Sequence, residues 1–160
     1  MAAKGAQGGR VVVIAIDGSD AAAHAFETYM QSLKYPEDTV VLVACDELNM
    51  AIANFWKGGV FDYNPDVLQE KLQKDEQEKK ALLKSFQDKL QEAGIKFKAV
   101  VLVSQNPGAT IVATADSEKA DLIVMGSRGH GLVTRTLIGS CSNYVLNHTS
   151  VPVVICRNSS

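Results

Sequence analysis

Apolar residues in this chain gather into five short runs set between longer polar, helix-forming stretches. The runs are Val11–Ile16, Val40–Cys45, Ala99–Val103, Leu122–Met125 and Val151–Cys156. Within each, apolar positions are mostly continuous rather than alternating with polar ones. Both faces of such strands must be covered, the mark of a parallel sheet with helices on each side.

The intervals between the runs carry helical patterns with their own start and stop signals. Ser19 predicts an N-cap for a helix over roughly 20–33, with Ala22, Ala25, Phe26, Tyr29, Met30 and Leu33 on one face. Asn106-Pro107 predicts a second start, Asn as cap and Pro in the first turn, where its missing N–H costs nothing. Ile111, Val112 and Ala115 then face the sheet. Ser140 is the predicted cap of a short last helix ending before Asn147.

A longer helix is predicted from about Asn64 to Ala93, closed by Gly94. Glu70–Lys74, Asp75–Lys79 and Glu76–Lys80 each place the acid four residues ahead of the base, the orientation that supports an exposed helix. Leu68, Leu72, Leu82, Leu83, Phe86 and Leu90 form its apolar stripe, thin where the charges concentrate. The pattern fits a solvated first half and a packed second half better than a partner-docking helix. Before it, the stretch 46–63 holds Phe55, Trp56, Phe61 and Gly58-Gly59. Its length predicts a loop whose aromatics either cover a ligand or pack on the neighbouring helix.

Strands alternating with helices, joined by right-handed crossovers, predict a single doubly wound five-stranded parallel sheet. Residues 1–9 read as a flexible tail and 10–157 as one domain, an expected size for 160 residues. A net charge of −2 argues against nonspecific nucleic-acid binding. No apolar run approaches the ~20 residues of a membrane span, and the first ten residues lack the apolar core of a secretory signal. Cys45, Cys141 and Cys156 are odd in number and form no C-x-x-C pair, so reduced thiols in a cytoplasmic protein are expected.

The stretch with the least to offer a helix or strand is the most informative. Gly126, Gly129, Gly131 and Gly139 follow the fourth run, and Gly139 leads into Ser140-Cys141-Ser142. In a doubly wound sheet ligands bind beyond the carboxyl ends of the strands, where the winding reverses. Glycines there bring bare backbone N–H groups close to an anion. A helix opening at Gly139 presents further unpaired N–H groups and the positive end of its dipole. Glycine is also simply common in loops. Two clusters after a buried strand, with a helix start, favour phosphate binding.

The spacing is neither G-x-x-x-x-G-K-[ST] nor G-x-G-x-x-G. It is Gly126-x2-Gly129-x9-Gly139-Ser140, which resembles the ATP-binding type of universal stress protein. V-V-V-I-A-I-D-G-S at the start, A-D-L-I-V-M-G-S-R-G-H-G late and V-P-V-V-I at the end agree with that resemblance over about residues 10–157. It implies a Rossmann-like sheet of order 3-2-1-4-5 binding ATP or AMP, usually in a homodimer. It assigns Asp17 to the ribose and phosphates, and Ala15 and Ile16 to the base and sugar side. Cys45 would meet adenine through its backbone. Met125, Gly126, Ser127 and Gly129 would hold the ribose and phosphate side, with Gly139, Ser140, Cys141 and Ser142 completing the phosphate cradle. Val153–Cys156 would pair across the dimer. The chain departs from the family pattern at Gln105, often glycine, at Ala44, and in its long Asn49–Tyr63 loop.

Asp17 could also assist a Mg²⁺ held mainly by the phosphates, or simply accept backbone hydrogen bonds in the turn at Gly18. Arg128 and Arg135 are charge partners for phosphate. His130, between glycines, reads as a solvent-facing loop residue, and His148 suits the end of the last helix. No Ser-His-Asp or Cys-His order stands out. The leading expectation is therefore a nucleotide-dependent switch acting in stress response. The alternatives are a slow ATP hydrolase or phosphotransferase on the same pocket, and a dimeric interaction protein that binds no nucleotide.

Overall fold

A computed structural model describes residues 8–46, 65–127 and 139–157. Five strands appear among them: β1 (Val11–Ile16), β2 (Thr39–Asp46), β3 (Lys96–Val103), β4 (Leu122–Gly126) and β5 (Val153–Cys156). They form one sheet in the order β3-β2-β1-β4-β5, and every pairing is parallel. Helices α1 (Asp20–Thr28), α2 (Pro65–Glu92), α3 (Pro107–Ser117) and α4 (Ser140–His148) connect them. The parallel pairing is that expected from the apolar runs, and the strand order is the one the family resemblance implies.

The two faces of the sheet carry separate cores. Val12, Ile14 and Ile16 of β1 pack with Phe26 and Tyr29 from α1 and its extension, and with Phe86 and Leu90 of α2. Val13 of β1 points the other way, with Val41, Val43, Ile123 and Met125, onto Ile111 and Ala115 of α3 and Val145 of α4. Residues of opposite parity in one strand thus serve opposite cores, which is why the runs are continuous. At β3 the apolar run understates the strand. Lys96 and Lys98 extend it at the sheet edge, where charge is tolerated, and Lys98 pairs with Glu118 of the chain following α3 at 2.5 Å. At β5 the run overstates it: Pro152 has no N–H for the ladder, and the strand starts at Val153.

Local signals placed most helix ends. Ser19 Oγ accepts the Ala22 N–H at 3.2 Å, and Asn106 Oδ1 accepts the Ala109 N–H at 3.1 Å with Pro107 in the first turn. α1 continues as a π-helical turn over Tyr29–Leu33, so the predicted span of 20–33 is right while its last turn is wider than an α-turn. α2 ends on Gly94 at φ +69°, with Ile95 N–H donating to Leu90 O and Gly94 N–H to Gln91 O. Ile95 and Leu90 then bury together in the core, completing a Schellman stop. Phe86 and Leu90 are buried and Leu82 and Leu83 half-buried, as expected for the second half of α2. Of the expected ion pairs, Glu76–Lys80 forms at 2.6 Å, whereas Lys74 reaches Glu78.

One buried polar cluster locks the amino ends of β1 and β2 together. Asp38 is 1% exposed and accepts four side-chain or backbone donors. Arg10 gives it Nε and Nη2 at 2.9 and 2.8 Å, Tyr29 its hydroxyl at 2.8 Å and Tyr35 its N–H at 2.9 Å. Arg10 also donates to Leu33 O at 2.7 Å and lies 4.5 Å over the Tyr35 ring. Burial works to raise the pKa of Asp38, but the bonds from Arg10, Tyr35 and Tyr29 outweigh it and hold the carboxyl below its ordinary range. Burial, and then the bond to Asp38, pushes the Tyr29 hydroxyl well above its usual value.

A lowered folded-state pKa means the unfolded chain takes up its proton first as the medium acidifies. The contribution of Asp38 is present above its unfolded value of about 4 and is lost as pH falls through the lower folded value. Asp38→Ala strands several buried donors and should cost on the order of 3 kcal/mol in urea unfolding at pH 7. Asp38→Asn should flatten the acid limb of the stability profile; an unchanged limb would assign that limb to other carboxylates.

Candidate functional site

The winding of the sheet reverses between β1 and β4, the two strands from which the chain leaves in opposite directions. Beyond β1, Gly18 turns the backbone at φ +77°, a left-handed conformation that favours glycine. Asp17 Oδ1 accepts both the Ser19 N–H, at 2.9 Å, and the Ser19 hydroxyl, while that hydroxyl oxygen accepts the Ala22 N–H. The carboxylate is thereby held at the positive end of α1. The turn-stabilising role expected as the alternative for Asp17 is present.

Beyond β4 the glycines separate in purpose. Gly126 is the last residue of β4, and a Cβ placed on it would stand 2.4 Å from the carbonyl oxygen of Ala21. Its missing side chain is what lets α1 lie against β4. The Ser127 N–H donates to Cys156 O at 3.0 Å and continues the β4–β5 ladder, so that donor is already used. Gly129, with Arg128, His130, Gly131 and Arg135, lies outside the described residues.

The start of α4 differs from expectation by one residue. Gly139 is the N-cap and has no side chain to offer, and Ser140 is the first helical residue, exposed to solvent. Asn143 N–H returns to Gly139 O at 2.8 Å. The N–H groups of the first turn lie ahead of this first bond of the helical ladder. The Ser142 side chain is buried and donates its hydroxyl to Gly139 O at 3.0 Å, so its hydroxyl proton serves the helix itself. What this terminus offers a ligand is main-chain N–H groups.

These pieces converge on one cleft, open to solvent on one side. Ala15, Ile16, Asp17, Cys45, Met125, Gly126, Gly139, Cys141 and Ser142 all line it. Ser127 and Ser140 do not. Ser19, Ala22, Val43, Pro107 and Ile111 also line it without having been expected there. Val43 had a signal, since it shares a strand face with Cys45 two positions on. Pro107 and Ile111 had none, because only the packed sheet brings the start of α3 over the end of β2, where Cys45 Sγ lies 4.0 Å from Pro107 O.

The chemistry of the cleft is asymmetric. Ala15, Ile16, Val43, Ile111 and Met125 make apolar walls, while Gly139, Cys141 and Ser142 at the start of α4 border one end. Among the described lining residues the ionisable groups are Asp17 and the thiols of Cys45 and Cys141. Such a site suits a ligand with an apolar ring and an anionic tail. It presents no histidine or lysine for acid–base work among those residues. A second opening adjoins it on the α2 side, sharing Ile16, Asp17 and Cys45 and bounded by Lys79, Lys80 and Leu83.

Comparison with known proteins agrees with this architecture. The family model described as Universal stress protein family matches residues 9–157. A universal stress protein of Synechocystis sp. is 25% identical over 150 residues, covering 92% of this chain and 97% of its own. The solved structure of MJ0577, a universal stress protein of Methanocaldococcus jannaschii, superposes with a TM-score of 0.70 at 23% identity, covering 94% of this chain and 97% of that one. Two further structures share the fold. A universal stress protein in complex with cAMP has a TM-score of 0.62 at 21% identity, covering 96% of this chain and 100% of that one. A family protein from Arabidopsis thaliana with AMP bound has a TM-score of 0.64 at 16% identity, covering 94% and 93%.

The packing role of Gly126 is testable without any ligand. Gly126→Ala must push α1 away from β4, and overpacking of this kind costs about 1–3 kcal/mol. The denaturant midpoint of the ligand-free variant should fall accordingly. An unchanged midpoint would show that α1 gives way freely and that the glycine is not needed for packing.

Proposed function

The chain belongs to the universal stress protein family, and from that premise we propose that it binds an adenine nucleotide, ATP or AMP, in the cleft between β1 and β4. The observation that carries the reading is the meeting of an apolar-walled cleft with the donor-bearing start of α4 at the reversal of the sheet. Fold neighbours that hold cAMP and AMP support it.

In this reading the base lies on Ala15, Ile16 and the Cys45 backbone, and the ribose sits near Asp17 and Met125. The phosphates meet the N–H groups of Ser140, Cys141 and Ser142 at the mouth closed by Gly126 and Gly139. The family resemblance assigns Ser127 and Gly129 to the ribose and phosphate side as well. Each charge-assisted N–H bond to phosphate contributes about 1.5–3 kcal/mol. A Mg²⁺ would be held chiefly by the phosphates, with Asp17 as a single protein ligand. No group of three potential metal ligands occurs among the described residues.

The functional consequence is a switch, in which nucleotide occupancy alters the surface offered to partners. A second copy of the chain is the first such partner, meeting it through the half-buried edge strand Val153–Cys156. The protein works inside the cytoplasm, in stress response.

Calorimetry with ATP and with AMP tests the reading. Saturable binding is expected, with a rise in melting temperature that grows with ln(1 + [L]/Kd). Gly139→Val, which crowds the phosphate end, should weaken ATP binding by about tenfold or more, the worth of one charge-assisted bond. Absence of heat and of any thermal shift with both nucleotides would sink the assignment. ADP accumulating at a rate abolished by Asp17→Ala would replace the switch with a hydrolase.

A further inference from the structure

Two of the three thiols open on the same cleft. Cys45 ends β2 and Cys141 stands second in α4; both are half-buried and both line the cavity. Cys156 is different. It is 5% exposed, packs into the opposite core and lines neither opening described above. All three are thiols rather than disulfides.

We propose that the cleft is a thiol-modification site for small uncharged electrophiles of the α,β-unsaturated carbonyl class, and that this modification and nucleotide occupancy exclude one another. The apolar walls admit an uncharged reagent and bring it to the two sulfurs. In the reaction a thiolate sulfur adds to the β-carbon. One C–S bond forms and the C=C π bond breaks. The electron pair moves to the α-carbon, which takes a proton from water in place of the one the thiol gave up. Nothing is oxidised or reduced, and no group leaves.

The geometry separates the three sulfurs chemically. Cys141 lies in the first turn of α4 and lines the cleft, where a reagent held by the apolar walls reaches it. Cys156 is held the other way: burial raises its pKa against a smaller opposing bond involving Thr28, so its reactive thiolate is scarce. An adduct on Cys141 would fill the phosphate end of the cleft, and one on Cys45 the base end. Only the exclusion half of the proposal rests on the nucleotide reading; the reactivity of the pair stands on the cavity.

The probe is N-ethylmaleimide, an unsaturated imide, added to the full chain and followed by peptide mass spectrometry. Labelling in urea, where all three thiols are exposed, gives the reference rates. In the folded protein Cys45 and Cys141 should react at least about tenfold faster than Cys156, since reactivity follows thiolate character and exposure. Saturating ATP should slow the pair and leave Cys156 unchanged, and labelled protein should lose its ATP heat. Cys156 keeping pace with the other two would overturn the thiol site. ATP binding unaffected by full labelling would overturn the exclusion while leaving the nucleotide reading intact. Selective labelling without any ATP binding would uphold the thiol site and remove the nucleotide reading instead.

Discussion

The handedness of parallel crossovers governs this molecule. A right-handed connection that moves the chain one way along a sheet lays its helix on one face, and a connection that moves it the other way uses the opposite face. From β1 to β2 to β3 the chain travels toward one edge; from there to β4 and β5 it travels toward the other. Hence α1 and α2 share one core and α3 and α4 the other. At β1 and β4 the departing helices diverge, and no helix can fill the gap they leave. The cleft is a consequence of topology before it is a consequence of any particular side chain.

Side chains then decide what the gap can hold. The approach of α1 to β4 depends on Gly126, where any Cβ would meet the Ala21 carbonyl. Close packing therefore draws the cleft's floor. On the far wall the N-cap of α4 is a glycine, which brings no side chain of its own to the main-chain donors of the first turn. A serine at that position would turn its oxygen onto one of those N–H groups. The opposite choice is made at α1, where Ser19 does cap the helix and donates its hydroxyl hydrogen bond to Asp17. One helix has a serine cap that anchors a carboxylate, and the other has a cap without a side chain. The site is polar at two points and apolar between them.

Rigidity at the other end of the sheet supports this arrangement. The Arg10–Asp38–Tyr29 cluster ties β1 to the chain entering β2 with bonds of 2.8–2.9 Å. It lies at the strands' amino ends, away from the cleft at their carboxyl ends, so the two can be perturbed separately. A buried carboxylate with its partners complete specifies register as well as holding it, because a one-residue slip would strand every donor.

Much of this was legible in the linear chain because the physics is local or periodic. Unbroken apolar runs can only be strands covered on both faces. Ser19, Asn106-Pro107 and Gly94 act on backbone groups within a few residues, and each falls where its chemistry demands. The glycine spacing from Gly126 to Gly139, with the chain's beginning and end, was enough to identify the family. Other features depended on contacts between distant segments. The partners of Asp38 are Arg10 just ahead of β1, Tyr29 in the π-helical extension of α1 and Tyr35 three residues upstream, and no spacing rule brings the first two to it. Gly126 reads as a loop residue until α1 is laid on it, and Gly139 could not be told from Ser140 as the cap until the helix was drawn. The sequence by itself determined which segments are strands and helices, since hydrogen bonding and burial along one segment settle that, and the order of the strands was legible only through the resemblance to the family. Only the tertiary structure decided which residues share the cleft, which donors there are already used, and which two of three thiols face it, because those are properties of surfaces that meet only after packing.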